Sequence, residues 1–110
     1  MAITWYGRVA GSIGVMPKED VYRKSIEIGY FVGEDFWGKG IASAAVALLI
    51  DYIEAHFDVI RIYAEIFDHN TASMKVLENA GYQLEAIHRK AIIKYGQVFD
   101  EYLYTKLASA

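Results

Sequence analysis

Cysteine is absent from the chain, so disulfides and thiolate metal sites are excluded, and the three histidines, His56, His69 and His88, lack metal-ligand spacing. No metal is expected. Proline occurs once, at Pro17, and with 55% hydrophobic residues this composition excludes a disordered or low-complexity chain. No long hydrophobic run is present. The longest, from Ile41 to Ile50, is interrupted by Ser43 and is too short to cross a bilayer. The expectation is a soluble, cytoplasmic chain without a signal peptide or membrane partner. Cationic excess is lacking too: 11 Lys and Arg stand interspersed with 14 Asp and Glu, for a net charge of −3. A nucleic-acid surface needs clustered cations to neutralise phosphates, so no nucleic-acid partner is expected.

What is present fits one domain over residues 1–110. "ITWYGRVAGSIGV" reads as two short strands around a turn at Tyr6-Gly7. "SIEIGYFV" alternates Ile26, Ile28, Tyr30 and Val32 against Glu27, Gly29 and Phe31, the period of a strand. From Gly40, apolar residues at Ile41, Ala44, Ala45, Leu48, Leu49, Tyr52 and Ile53 predict one broad face of a helix of about 16 residues, roughly 24 Å long. "VIRIYAEIF" predicts a strand. "DHNTASMKVLENAG" predicts a shorter helix, capped by Asn70 and stopped by Gly81 in the left-handed region. The tail predicts two long strands around Tyr95-Gly96. The order ββ(β)-α-β-α-ββ implies an α/β (α+β) fold, a mixed central sheet with helices packed on it.

The segment "GEDFWGKGIASAAV" places Gly38 and Gly40 immediately before the long helix. Unpaired backbone N–H groups and the helix dipole make such an end suited to a phosphate or pyrophosphate. A Walker A loop fails here, because Gly40 follows Lys39 where Ser or Thr is required. A dinucleotide fingerprint matches two of three glycines, with Ser43 in the third place. The remaining reading from the residues alone is an ordinary strand-to-helix turn.

The same segment resembles the acetyl-CoA pyrophosphate loop of the GNAT superfamily of N-acetyltransferases, with Trp37, Gly38, Lys39, Gly40, Ile41 and Ala42 in the six motif positions. Trp37 departs from the usual Gln or Arg, as in the branch resembling ribosomal-protein N-terminal acetyltransferases (RimJ/RimL-like). "IYAEIFDHNTASMKVLENAGYQLEAIHRKA" and "FDEYLYTKL" resemble later elements of that branch, so the likeness runs from about Val9 to Leu107. It implies a GNAT-like acyl-CoA N-acyltransferase fold, N-terminally shortened: a complete member carries a further strand and one or two helices that wall the acceptor cleft.

The resemblance also implies a reaction, transfer of an acetyl group from acetyl-CoA to a primary amine by direct attack in a ternary complex. It assigns Phe31, Val32, the loop from Trp37 to Ala42, Asn70 and Ser73 to the cofactor, with Ser73 also reaching the thioester sulfur. An ammonium near pKa 10 must lose a proton before attack, so a base is required. Glu27, on the strand entering the loop, is the expected base, with Glu65 second; for each, a structural or solvated carboxylate is the alternative. Many members carry an acid Tyr seven residues after the Asn, where this chain has Leu77. Glu34 and Asp35 are required to point away from a bound pyrophosphate, and His69 is expected to be solvated. The aromatics Trp5, Tyr6, Phe36, Trp37, Tyr95 and Tyr102 are expected in core and sheet packing. An exposed edge at "AITWYG" predicts a homodimer. Competing functions are a CoA-binding module without turnover and a nucleotide-binding module using the same turn.

Overall fold

The protein was analysed as a computed structural model that describes residues 1–68 and 70–108, and of Glu34 the backbone alone. Strands β1 (Ala2–Trp5), β2 (Arg8–Pro17) and β3 (Ser25–Val32) lead to helix α1 (Ile41–His56), strand β4 (Arg61–Phe67), helix α2 (Thr71–Asn79) and strands β5 (Gln83–Lys94) and β6 (Gln97–Leu107). One six-stranded sheet results, in the order β1-β2-β3-β4-β6-β5. The β3-α1-β4 crossover supplies its parallel pair and the other pairs are antiparallel, giving the mixed sheet expected.

Two hairpins turn on Tyr-Gly. Trp5 pairs with Arg8 and Lys94 with Gln97, so each loop has two residues. Both loop residues have positive φ, 48° and 77° at Tyr6-Gly7 and 53° and 74° at Tyr95-Gly96, as a primed turn demands. Tyr6 and Tyr95 therefore project into solvent, 89% and 94% exposed, which corrects their assignment to sheet packing. Trp37 is likewise 65% exposed, whereas Phe36 is buried and Trp5 and Tyr102 pack on the core.

Both helices cover one face of the sheet, where Ile26, Ile28, Ile62, Ala64 and Tyr104 meet Val46, Leu49 and Ile53 of α1 and Met74 and Leu77 of α2. The face of α1 differs from expectation. Its buried stripe is Ile41, Val46, Leu49, Ile50 and Ile53, while Ala44, Leu48 and Tyr52 are exposed along a groove beside β1. The helix is apolar around most of its circumference, so the sequence period does not fix which stripe meets the sheet. No helix of the described residues is long and apolar enough to span a membrane.

What positions the site is a local separation of strands. β3 and β4 pair only at residues 25–27 with 61–63, and beyond Glu27 and Tyr63 they diverge. β3 remains attached to β2 up to Val32, helped by Gly11, where a Cβ would lie 1.9 Å from the Phe31 carbonyl oxygen. β4 remains attached to β6 through Phe67. A wedge thus opens at the carboxyl ends of the two parallel strands, the position where open α/β sheets receive ligands.

Candidate active site

The loop from β3 to α1 folds back on its own strand. The Phe36 N–H donates to Gly33 O at 2.9 Å, and the Trp37 indole Nε1 donates to Val32 O at 2.8 Å. Gly38 and Gly40 have φ of 76° and 74°, a region costly for other residues, and no atom beyond the adjacent residues lies within 4 Å of a Cβ built on either. Backbone conformation, with open space in front of it, accounts for both glycines. The first helical bond runs from Ala44 N to Gly40 O, at 3.1 Å, so the N–H groups of Ile41, Ala42 and Ser43 have no partner within the helix.

These groups border a groove of about 790 Å³ between the start of α1 and the exposed side of α2. Phe31, Val32, Trp37, Gly38, Gly40, Ile41, Ala42, Asn70 and Ser73 line it, which brings together the cofactor residues named from the sequence with one exception. Lys39 is exposed and does not line the groove; Lys75 of α2 does, and sequence reasoning missed it. Asp35 is exposed and outside the lining. The expectations for the Glu34 side chain and for His69 lie outside the described residues.

Asn70 is the N-cap of α2: its Oδ1 accepts the Ser73 N–H at 3.3 Å. Ser73 and Asn70 also line a second cavity of about 350 Å³, set in the wedge with Gly29, Glu65 and Lys94. Tyr30 belongs to both cavities, and its hydroxyl donates to Ser73 O at 3.2 Å. Burial raises the pKa of Tyr30, against a smaller opposing effect of the Ser73 bond. Strand alternation groups Tyr30 with Ile26, Ile28 and Val32; its link to a turn 43 residues away leaves no local signal.

Glu27 and Glu65 share the sheet face opposite the helices. Glu27 Oε1 accepts from Lys18 Nζ at 3.1 Å and from Tyr63 Oη at 3.4 Å, and Glu27 lines neither cavity. Glu65 does line the wedge cavity. Its pKa is raised, first by desolvation, then by the charges of Glu101 and Glu27 and a hydrogen bond with Glu101, with His88 opposing. His88 Nδ1 lies 3.1 Å from Glu101 Oε1, which places His88 in this network. Leu77 is fully buried in the core, so no hydroxyl enters the site from that position. The described residues contain no group of three or more His, Asp or Glu arranged to hold a metal.

Residues 2–83 match the acetyltransferase (GNAT) domain family. An uncharacterized N-acetyltransferase p20 from Bacillus licheniformis is 40% identical over 81 residues, 74% of this chain and 46% of that protein. Among solved structures, a ribosomal L7/L12 alpha-N-protein acetyltransferase in complex with coenzyme A superposes with a TM-score of 0.84 at 26% identity, covering 92% of this chain and 56% of the other. A protein from Salmonella typhimurium, solved with its cofactor acetyl-CoA, has the same fold at a TM-score of 0.87 and 22% identity, over 94% and 60% of the two chains. The chain spans about half the length of the curated relatives it matches. With most of its length matched by that domain family and the same fold in the solved structures, the chain belongs to the GNAT acetyltransferase family.

Proposed function

We propose that the chain transfers an acetyl group from acetyl-CoA to a primary amine, a protein N-terminus or a small-molecule amine, by direct attack in a ternary complex. The observation that carries this reading is the meeting of a long groove and a smaller wedge cavity at Tyr30, Asn70 and Ser73. The groove suits a nucleotide with a long thiol-ended arm, and the wedge cavity suits an acceptor reaching the end of that arm.

Acetyl-CoA supplies the activated acyl group. The residues of the chain divide the remaining work. Gly38, Gly40 and the N–H groups of Ile41, Ala42 and Ser43 hold the pyrophosphate, with Lys75 adding positive charge across the groove. Asn70 and the unpaired β3 edge hold the arm. Glu65 takes the ammonium proton, and its raised pKa brings its basicity closer to the operating range. Glu27 then acts at one remove: its charge is among those that favour the protonated form of Glu65. As the C–N bond forms and the C–S bond breaks, the Ser73 hydroxyl donates to the departing sulfur. The relative acting on ribosomal L7/L12 supports a protein α-amine as acceptor class. We further propose that the free edge of β1, beside exposed Leu48 and Tyr52, pairs with a second copy.

Release of thiol from acetyl-CoA, followed with a panel of primary amines and of peptides with free α-amino groups, tests the reading. Amine-dependent release supports it. CoA binding without release on any acceptor supports a binding module instead.

A further inference from the structure

β3 and β4 diverge after Glu27 and Tyr63, and no strand pairing joins the two beyond that point. Across the gap, Tyr30 Oη on β3 donates to the carbonyl of Ser73 in the first turn of α2. The same turn is held from within by the Asn70 cap on the Ser73 N–H. Ser73 is thus fixed at both of its backbone polar groups, by a residue of its own helix and by a residue of the opposite strand. Ser73 lines both the groove and the wedge cavity.

We propose that Tyr30 is a positioning residue for acyl transfer: its hydroxyl ties α2 to β3 across the wedge and so places the Ser73 hydroxyl at the crossing between the cofactor groove and the acceptor cavity. The inference rests on the transferase reading above. A phenol is protonated throughout the neutral range, and burial favours that form further, so the O–H is available as a donor. Loss of the hydroxyl leaves the ring in place, so the groove keeps its wall while the first turn of α2 loses its anchor. Affinity for the cofactor, spread over the loop and the groove, is then affected less than the chemical step.

The test compares the wild-type chain with Tyr30→Phe, Ser73→Ala and the double variant. Calorimetry with CoA gives affinity, and thiol release from acetyl-CoA with the amine and peptide panel gives kcat and KM. Tyr30→Phe is expected to bind CoA within about threefold of wild type while kcat falls about tenfold, the scale of one neutral hydrogen bond. In the Ser73→Ala background the Phe substitution should have no further effect on kcat. A second measurement does not depend on truncation: 3,5-difluorotyrosine at position 30 ionises at lower pH than tyrosine, so kcat should fall as that phenol loses its proton, which wild type does not show.

Unchanged kcat in Tyr30→Phe, additive effects of the two substitutions, or a flat difluorotyrosine profile overturns the role of Tyr30 alone. A wild-type chain that binds no CoA, or binds it and releases no thiol, overturns the transferase reading and this inference with it.

Discussion

The indole N–H of Trp37 donates to the carbonyl of Val32, five residues earlier, at 2.8 Å. Gly33 N donates in the opposite direction, to Ala10 of β2, so the Val32 carbonyl is turned toward the groove and Trp37 covers it there. Cofactor binding must therefore change the surroundings of this indole. Intrinsic fluorescence of the chain, which has two tryptophans, is expected to shift on adding CoA; the shift should persist in Trp5→Phe and vanish in Trp37→Phe.

Asn70 is assigned two tasks that substitution can separate. Asn70→Ala removes the cap and is expected to cost about 1 kcal/mol in denaturant unfolding. Asn70→Asp keeps a capping oxygen and should retain most of that stability, yet lose CoA affinity because the amide donor is gone. Equal CoA affinity in wild type and Asn70→Asp would remove Asn70 from the cofactor site.

Gly40 caps α1 at φ 74° with open space around its Cα. Gly40→Ala is expected to destabilise by about 1 to 2 kcal/mol through backbone conformation alone, and to weaken CoA binding by distorting the first turn. Gly11→Ala is the harsher change. Its Cβ would meet backbone at 1.9 Å, so β2 and β3 must separate; little folded protein is expected by circular dichroism.

The raised pKa of Glu65 has a sign that can be checked. As a base it works deprotonated, so kcat/KM should rise with pH through a value raised above that of an ordinary glutamate. Glu101→Gln removes a charge that holds the Glu65 pKa up, and the acid limb should move to lower pH. Linkage runs the other way for stability: the folded pKa is raised, so this contribution is present at low pH and is lost as pH rises through it. An acid limb unmoved by Glu101→Gln would remove Glu65 as the base.

Much of this was legible in the chain because its signals are local. Alternation in 25–32 and 61–67, the Tyr-Gly turns, the Asn70 cap and the left-handed Gly81 each depend on a few consecutive residues, and the structure has them at those positions. The glycine loop was recognisable for the same reason. What the sequence withheld depends on pairing at a distance. The stripe of α1 that meets the sheet, the divergence of β3 from β4 and the Tyr30 bond to Ser73 are set by packing between segments far apart in the chain. That divergence also explains the two carboxylates: Glu27 sits where the strands still pair and Glu65 sits where they have parted, a distinction that alternation cannot express.

The central claim, a CoA cradle between α1 and α2, is tested most directly by thermal unfolding of the chain with CoA, acetyl-CoA, ATP and NAD in turn. Ligand at a hundredfold excess over its Kd stabilises the folded state by about 2.7 kcal/mol, which for a domain of this size raises Tm by roughly 10 °C. The account predicts such a rise with CoA and acetyl-CoA, reduced in Gly40→Ala, and none of that size with ATP or NAD. No rise with either CoA compound, together with a rise in ATP or NAD, would contradict it.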